Sequence, residues 1–159
     1  MAGPAQFVTL GLGAEVFAVP VDYVREILDY ARPSAIPEAP AYLLGLTDVR
    51  GRATPTLDLR RKLGLTPLEP TSSTRILVLD IPIDGDILSV GLAADRVIEV
   101  AAYLQEEIEP APAIGVPWRN EYIRGVVRRD GAFVVLFDLV RLLTSEDIAA
   151  LPATAVQAA

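Results

Sequence analysis

The chain repeats itself, and this constrains its fold more than any other feature. Tyr42, Gly45, Gly51, Asp58, Leu59, Arg61 and Leu63 recur as Tyr122, Gly125, Gly131, Asp138, Leu139, Arg141 and Leu143, each 80 positions later. That is seven identities in 22 ungapped positions. An earlier block, Asp22, Val24 and Glu26, recurs as Asp95, Val97 and Glu99 at an offset of 73. The second copy therefore holds seven extra residues between its third and fourth strands. A repeat of this kind sets the architecture, because each copy is one supersecondary unit built on the same plan.

The unit is a run of short strands. Phe7–Leu12 and Glu15–Pro20 are apolar runs around Gly13-Ala14, which reads as a hairpin. Val24–Tyr30, Leu43–Val49 and Arg52–Leu57 follow, the last two around Arg50-Gly51. The second copy gives Arg75–Pro82 and Ile87–Ala93 around Asp84-Gly85, then Arg96–Ala102, then Tyr122–Arg128 and Ala132–Phe137 around Asp130-Gly131. Short helical patterns occupy Asp58–Leu63, Asp138–Leu143 and Ser145–Leu151, and Tyr103–Glu121 reads as irregular. Five short antiparallel strands suit a small closed or partly open barrel. The reading is a mostly β single domain over residues 1–159, with copies 6–63 and 75–143 each forming one lobe and 152–159 a frayed tail. A shared apolar seam between two barrels accounts for a hydrophobic fraction of 52% in 159 residues.

Composition removes most chemistry. Cysteine and histidine are both absent. Disulfides, thiolate chemistry and the favoured zinc ligands go with them, as does the commonest general base. One lysine, Lys62, stands among 14 basic residues, and the net charge is −7. An acidic chain of this kind is a poor binder of nucleic-acid backbone. No basic residue precedes Arg25, and no apolar run reaches the ~18 residues of a membrane helix. A soluble, cytoplasmic protein without membrane insertion, metal or cofactor is expected.

Asp58 and Asp138 are the sharpest catalytic candidates, since equivalent carboxylates in two pseudo-symmetric copies could share a proton as an acid-hydrolase dyad does. The stronger reading makes each a helix N-cap, because each follows a strand and precedes a short amphipathic run. Neither is followed by the small Thr/Ser-Gly pair of such hydrolases. A serine triad lacks its histidine, and no phosphate loop or nucleophile elbow occurs. Asp84-Gly85-Asp86 reads as a tight turn, and Glu106, Glu107 and Glu109 as a solvated acidic loop.

One turn resists a structural account. Left-handed hairpin turns favour Asp-Gly or Asn-Gly, and the second copy obeys with Asp130-Gly131. The first copy has Arg50-Gly51, and Asp48 stands where the second has Arg128. Arginine gains nothing from that backbone geometry. Either the turn has drifted, or it carries function. Asp48, two residues away, is placed to pair with Arg50. Val24, Glu26 and Leu28 share one face of a strand, which reads equally as a half-buried edge or a binding surface.

The chain resembles the CheW-like family, adaptors that couple bacterial chemoreceptors to their histidine kinase. The matching stretches are Gln6-Phe7-Val8-Thr9-Leu10, Val24-Arg25-Glu26-Ile27, Gly45-Leu46-Thr47-Asp48-Val49-Arg50-Gly51, Pro55-Thr56-Leu57-Asp58-Leu59-Arg60, Ile108-Glu109-Pro110-Ala111-Pro112 and Tyr122-Ile123-Arg124-Gly125. The resemblance implies two five-stranded SH3-like β-barrels around a common core and no catalytic activity. It implies two partners, the regulatory domain of the kinase CheA and the cytoplasmic tip of a chemoreceptor, and recruitment to receptor arrays at the inner face of the membrane. The family motif Asn-Leu-Arg-Gly falls on Asp48, Val49, Arg50 and Gly51, which makes Arg50 the functional arginine. The receptor-facing Val and Glu fall on Val24 and Glu26, expected on an exposed surface. Asp48 departs from the usual Asn. The output could be flagellar chemotaxis or a related pathway.

Overall fold

The structure is a computed structural model; it describes residues 3–110 and 122–143 and the backbone of Val156–Ala158. The predicted helix at Ser145–Leu151 lies outside the described residues. Ten strands form where the turn signals place them. They are β1 (Ala5–Leu12), β2 (Glu15–Pro20), β3 (Val24–Asp29), β4 (Leu43–Val49), β5 (Arg52–Asp58), β6 (Arg75–Ile83), β7 (Asp86–Ala94), β8 (Arg96–Tyr103), β9 (Ile123–Arg129) and β10 (Ala132–Phe137). Two four-residue helices, α1 (Leu59–Lys62) and α2 (Leu139–Leu142), follow β5 and β10.

One sheet runs in the order β8-β1-β2-β10-β9 and the other in the order β3-β6-β7-β5-β4. This corrects the expectation that each repeat copy forms its own lobe. The first lobe joins the opening hairpin of copy one to the last three strands of copy two, and the second lobe does the reverse. The cause lies in the connectors. Only Val21–Tyr23 separates β2 from β3, and only Asp95 separates β7 from β8. Neither connector folds the chain back on itself; both carry it into the other sheet. The exchange is sealed by two parallel pairings, β2 with β10 and β5 with β7.

Of the tail expected to fray, 152–159, only Val156–Ala158 lies within the described residues, and there the expectation needs correction. Val156–Ala158 forms a short strand, β11, antiparallel to Asp86–Leu88 of β7. The exposed backbone of that hairpin end gives it hydrogen-bond partners.

Each sheet curls until its ends nearly meet, and one isolated bridge closes it. Ser34, beyond β3, exchanges two 2.8 Å backbone hydrogen bonds with Leu46 of β4. Glu109, beyond β8, does the same with Val126 of β9 at 2.8 and 2.9 Å. The repeated glycines permit both closures. A Cβ on Gly45 would sit 2.0 Å from the Ser34 carbonyl oxygen, and one on Gly125 would sit 2.7 Å from that of Glu109. Glu109 and its neighbours are thus more than a solvated loop. Gln105–Glu107 is a 3-10 turn in which the Leu104 N–H donates to Glu107 at 2.8 Å.

The main core lies between the sheets. Val8, Leu10 and Phe17 meet Leu77, Leu79, Leu92, Val135 and Phe137 there, and Phe17 stacks on Phe137 with ring centroids 5.0 Å apart. Each fully buried side chain of this size contributes roughly 1.5–3 kcal/mol. A second cluster, including Phe7, Ala18, Val127, Val134 and Leu136, fills the first lobe alone. Cations on α1 add polar ties around this core. Lys62 lies 4.7 Å from the ring centroid of Tyr42 and 5.4 Å from that of Tyr122, its repeat equivalent. Arg60 grips Asp95 through two bonds of 2.6 and 2.9 Å, and the Gly13 N–H donates to the same carboxylate at 2.7 Å.

Candidate functional site

The β4–β5 turn takes the left-handed geometry its sequence position predicts. Arg50 has φ 52° and Gly51 φ 82°, matching 50° and 79° for Asp130 and Gly131. For a side chain like arginine this conformation costs roughly 1–2 kcal/mol. Asp48 offsets part of the cost, but not as expected. Its carboxylate accepts the Gly51 N–H at 2.9 Å and caps the turn.

Arg50 reaches elsewhere. Its Nε donates to Glu26 Oε2 at 3.0 Å, across to β3. The Arg50 side chain is 76% exposed and that of Glu26 only 18%. The expected Asp48–Arg50 pair is therefore replaced by a longer-range one: the carboxylate two residues away is occupied by its own turn.

The remaining predicted residues divide. Val24 and Glu26 do not share a face of β3 as expected, because the strand slips by one residue between them; both are half-buried rather than openly exposed, and Val24 packs against the main core. Val24 pairs with Leu79 and Glu26 with Val78, with a register shift between them, so β3 bulges at Arg25. Val49 is 5% exposed and presents no side chain to a partner. It turns inward because the alternation of β4 that sends Asp48 out sends Val49 in. The surface patch is then Arg50, Gly51, Asp48 and the exposed edge of Glu26; Ile27, 42% exposed, lies on the opposite face of β3.

The second copy builds a different surface at the equivalent turn. Arg128 donates to Glu109 at 2.7 Å and lies 5.0 Å from the ring centroid of Phe133, which is 47% exposed. The two turns are alike in backbone and unlike in what they present.

Asp58 and Asp138 are N-caps. The Asp58 carboxylate accepts the Arg60 N–H and the Asp138 carboxylate the Arg141 N–H, each at 3.1 Å. Each also pairs with the arginine three residues on, at 3.2 and 3.7 Å. These hydrogen bonds and ion pairs tie each carboxylate to its own helix, which is the arrangement of an N-cap. Burial pushes the Asp58 carboxyl up from its ordinary value, against hydrogen bonds from Arg60 and Arg61. Asp58 borders a 310 Å³ cleft with Arg60, Arg61 and Asp95, whose charges are already engaged with one another. Among the described residues no group of three or more carboxylates could hold a metal.

Two exchanged β-lobes, one of which carries an exposed arginine over a half-buried carboxylate, define a β-rich double-lobed module. The chain belongs to the CheW-like domain family, whose sequence pattern matches residues 6–147. It is 30% identical over 145 residues to a probable chemotaxis protein CheW of Rhizobium etli, covering 91% of each chain. It is 31% identical over 144 residues to the chemotaxis protein CheW of Klebsiella aerogenes, covering 91% of this chain and 84% of that one. The crystal structure of the scaffolding protein TtCheW from Thermoanaerobacter tengcongensis superposes with a TM-score of 0.80 at 23% identity, covering 92% of each chain.

Proposed function

We propose that this protein is a non-catalytic, cytoplasmic adaptor of chemotaxis-type signalling that couples the tip of a chemoreceptor to the regulatory domain of the kinase CheA. The observation that carries the reading is the Arg50–Glu26 pair. The fold does not require arginine at that turn, and its repeat copy uses the residue the geometry favours. The arginine is nonetheless held there at a conformational cost, its fork of donors largely in solvent. Neutralising one edge of the guanidinium with Glu26 fixes its direction and leaves the remaining donors for carboxylates or carbonyls of a partner helix.

The test is reconstitution with the receptor and CheA encoded in the same genome. The wild-type chain should support receptor-dependent kinase control. Arg50→Ala and Glu26→Lys should abolish it while the far-ultraviolet spectrum stays unchanged. Normal control by both folded variants would defeat the assignment of this patch. Which receptor and kinase the native protein recovers from lysate distinguishes a flagellar output from a related pathway.

A further inference from the structure

The two lobes share a backbone plan but not an interior. Strand register matches them residue by residue. Thr47 pairs with Thr54 and Gly45 with Thr56 in the second lobe, just as Val127 pairs with Val134 and Gly125 with Leu136 in the first. Thr56 lies beside Gly91 as Leu136 lies beside Ala18. Where the first lobe packs Ala18, Val127, Val134 and Leu136 into its own apolar cluster, the second therefore has Gly91, Thr47, Thr54 and Thr56. At each of these four positions the second lobe is smaller or more polar, although Val78 stands in it where the first lobe has the buried Thr9.

These hydroxyls are buried: Thr54 is 6% exposed and Thr56 fully covered. They satisfy one another and the backbone. Thr47 and Thr56 share a 2.6 Å hydrogen bond, while Thr54 donates to the Arg52 carbonyl at 3.4 Å and Thr56 to the Thr54 carbonyl at 3.3 Å, both long. A satisfied hydroxyl adds little net stability, whereas the methyl it replaces adds hydrophobic burial. Each exchange thus removes driving force from the second lobe without leaving an orphaned group that would prevent folding.

We propose that the β4–β5 hairpin is a built-in soft element, opening by local unfolding well before its structural twin β9–β10. Local openings span a wide range of free energy within one native protein, and the elements with the least apolar burial open first. The soft hairpin is the one whose turn carries Arg50. That its softness lets the Arg50 turn adapt to a partner rests on the proposed function; the difference in opening does not.

Amide hydrogen exchange on the free, full chain tests it. Peptides covering Leu43–Asp58 should exchange at least about tenfold faster than those covering Ile123–Phe137. Thr47→Val combined with Thr56→Val removes both partners of the shared hydrogen bond together. It should slow exchange in β4–β5 by about tenfold and leave β9–β10 unchanged. Equal protection of the two hairpins in the native protein would overturn the proposal, and so would a folded double variant with unchanged β4–β5 exchange. If the double variant does not fold, the comparison within the native chain still decides. Loss of receptor coupling in Arg50→Ala leaves these rates unaffected, so the two readings fail separately.

Discussion

Glu26 and Arg50 meet at 3.0 Å although 24 residues separate them, one on the edge strand β3 and the other on the turn between β4 and β5. The pair joins the two motifs that sequence alone held apart. Because Arg50 is 76% exposed, its ion pair is screened and worth no more than about 1 kcal/mol. Arg50→Ala should therefore lower the unfolding free energy measured in urea by less than that amount. Arg50→Asp regains the residue that the turn geometry favours but brings a third carboxylate toward Glu26 and Asp48, so added salt should stabilise it more than it stabilises Arg50→Ala. The salt dependence of the two variants checks the pairing without any partner present.

The two caps should behave alike. Asp58→Ala and Asp138→Ala each remove a carboxylate that accepts a helix N–H, and each should cost roughly 0.5–2 kcal/mol by chemical denaturation. A loss confined to one variant would show that the repeat equivalence does not extend to energetics.

Acid should act through Asp95. The hydrogen bond from Arg60 holds its carboxyl below the ordinary range, with the Gly13 N–H adding to the effect. A folded-state pKa below the unfolded one gives stability that is complete above the unfolded value, about 3.9, and is lost as pH falls through the folded value. Asp58 has the opposite sign, since burial raises its pKa and makes its ionisation mildly unfavourable to the fold at neutral pH. Asp95→Asn should thus cost roughly 1.5–3 kcal/mol at pH 7, by loss of charge-assisted bonds to a largely buried Arg60. It should also flatten the acid limb of the stability curve below about pH 4. Thermal melts from pH 7 down to pH 2.5 provide the measurement.

The closing glycines should be intolerant in a graded way. Gly45→Ala drives a Cβ into the backbone at Ser34 and adds a φ of 143° that side chains avoid. Gly125→Ala meets Glu109 and the movable Ile108 side chain at 2.7 Å. Overpacking of this kind costs roughly 1–3 kcal/mol, with Gly45 at the upper end. Gly51→Ala meets nothing within 4 Å and should lose only the left-handed backbone preference, about 1 kcal/mol. A ranking other than Gly45, Gly125, Gly51 in melting temperature would contradict the bridge as the reason for the repeated glycines.

The strands were legible because their turns are punctuated: Gly13-Ala14, Asp84-Gly85 and Asp130-Gly131 mark chain reversals that local chemistry demands. The exchange of strands was not. Repetition tells which residues are equivalent, not which equivalent pairs with which, and a three-residue connector serves either topology. Arg50 stood out by failing to match its turn. Its partner did not, because a pair formed across the barrel leaves no spacing in sequence, while Asp48 offered a nearer and wrong one. Gly45 and Gly125 were visible as identities, but their reason, a neighbouring carbonyl inside van der Waals distance, exists only in three dimensions.

The exchanged topology also dictates an order of events at the ribosome. Val16 of β2 pairs with Gly11 inside its own hairpin, but its second neighbour is Val134 of β10, so the outer edge of the hairpin made first must wait for nearly the last strand. The second lobe faces no such delay, since all five of its core strands have emerged by Ala94. That lobe, despite its threonine-lined β4–β5 hairpin, is available as the template on which the rest of the chain closes. Contacts this distant in sequence slow folding. During the interval β1 and β2 offer an apolar edge with no native partner yet made, the period in which a second nascent copy could supply the missing strand and leave two chains interlocked.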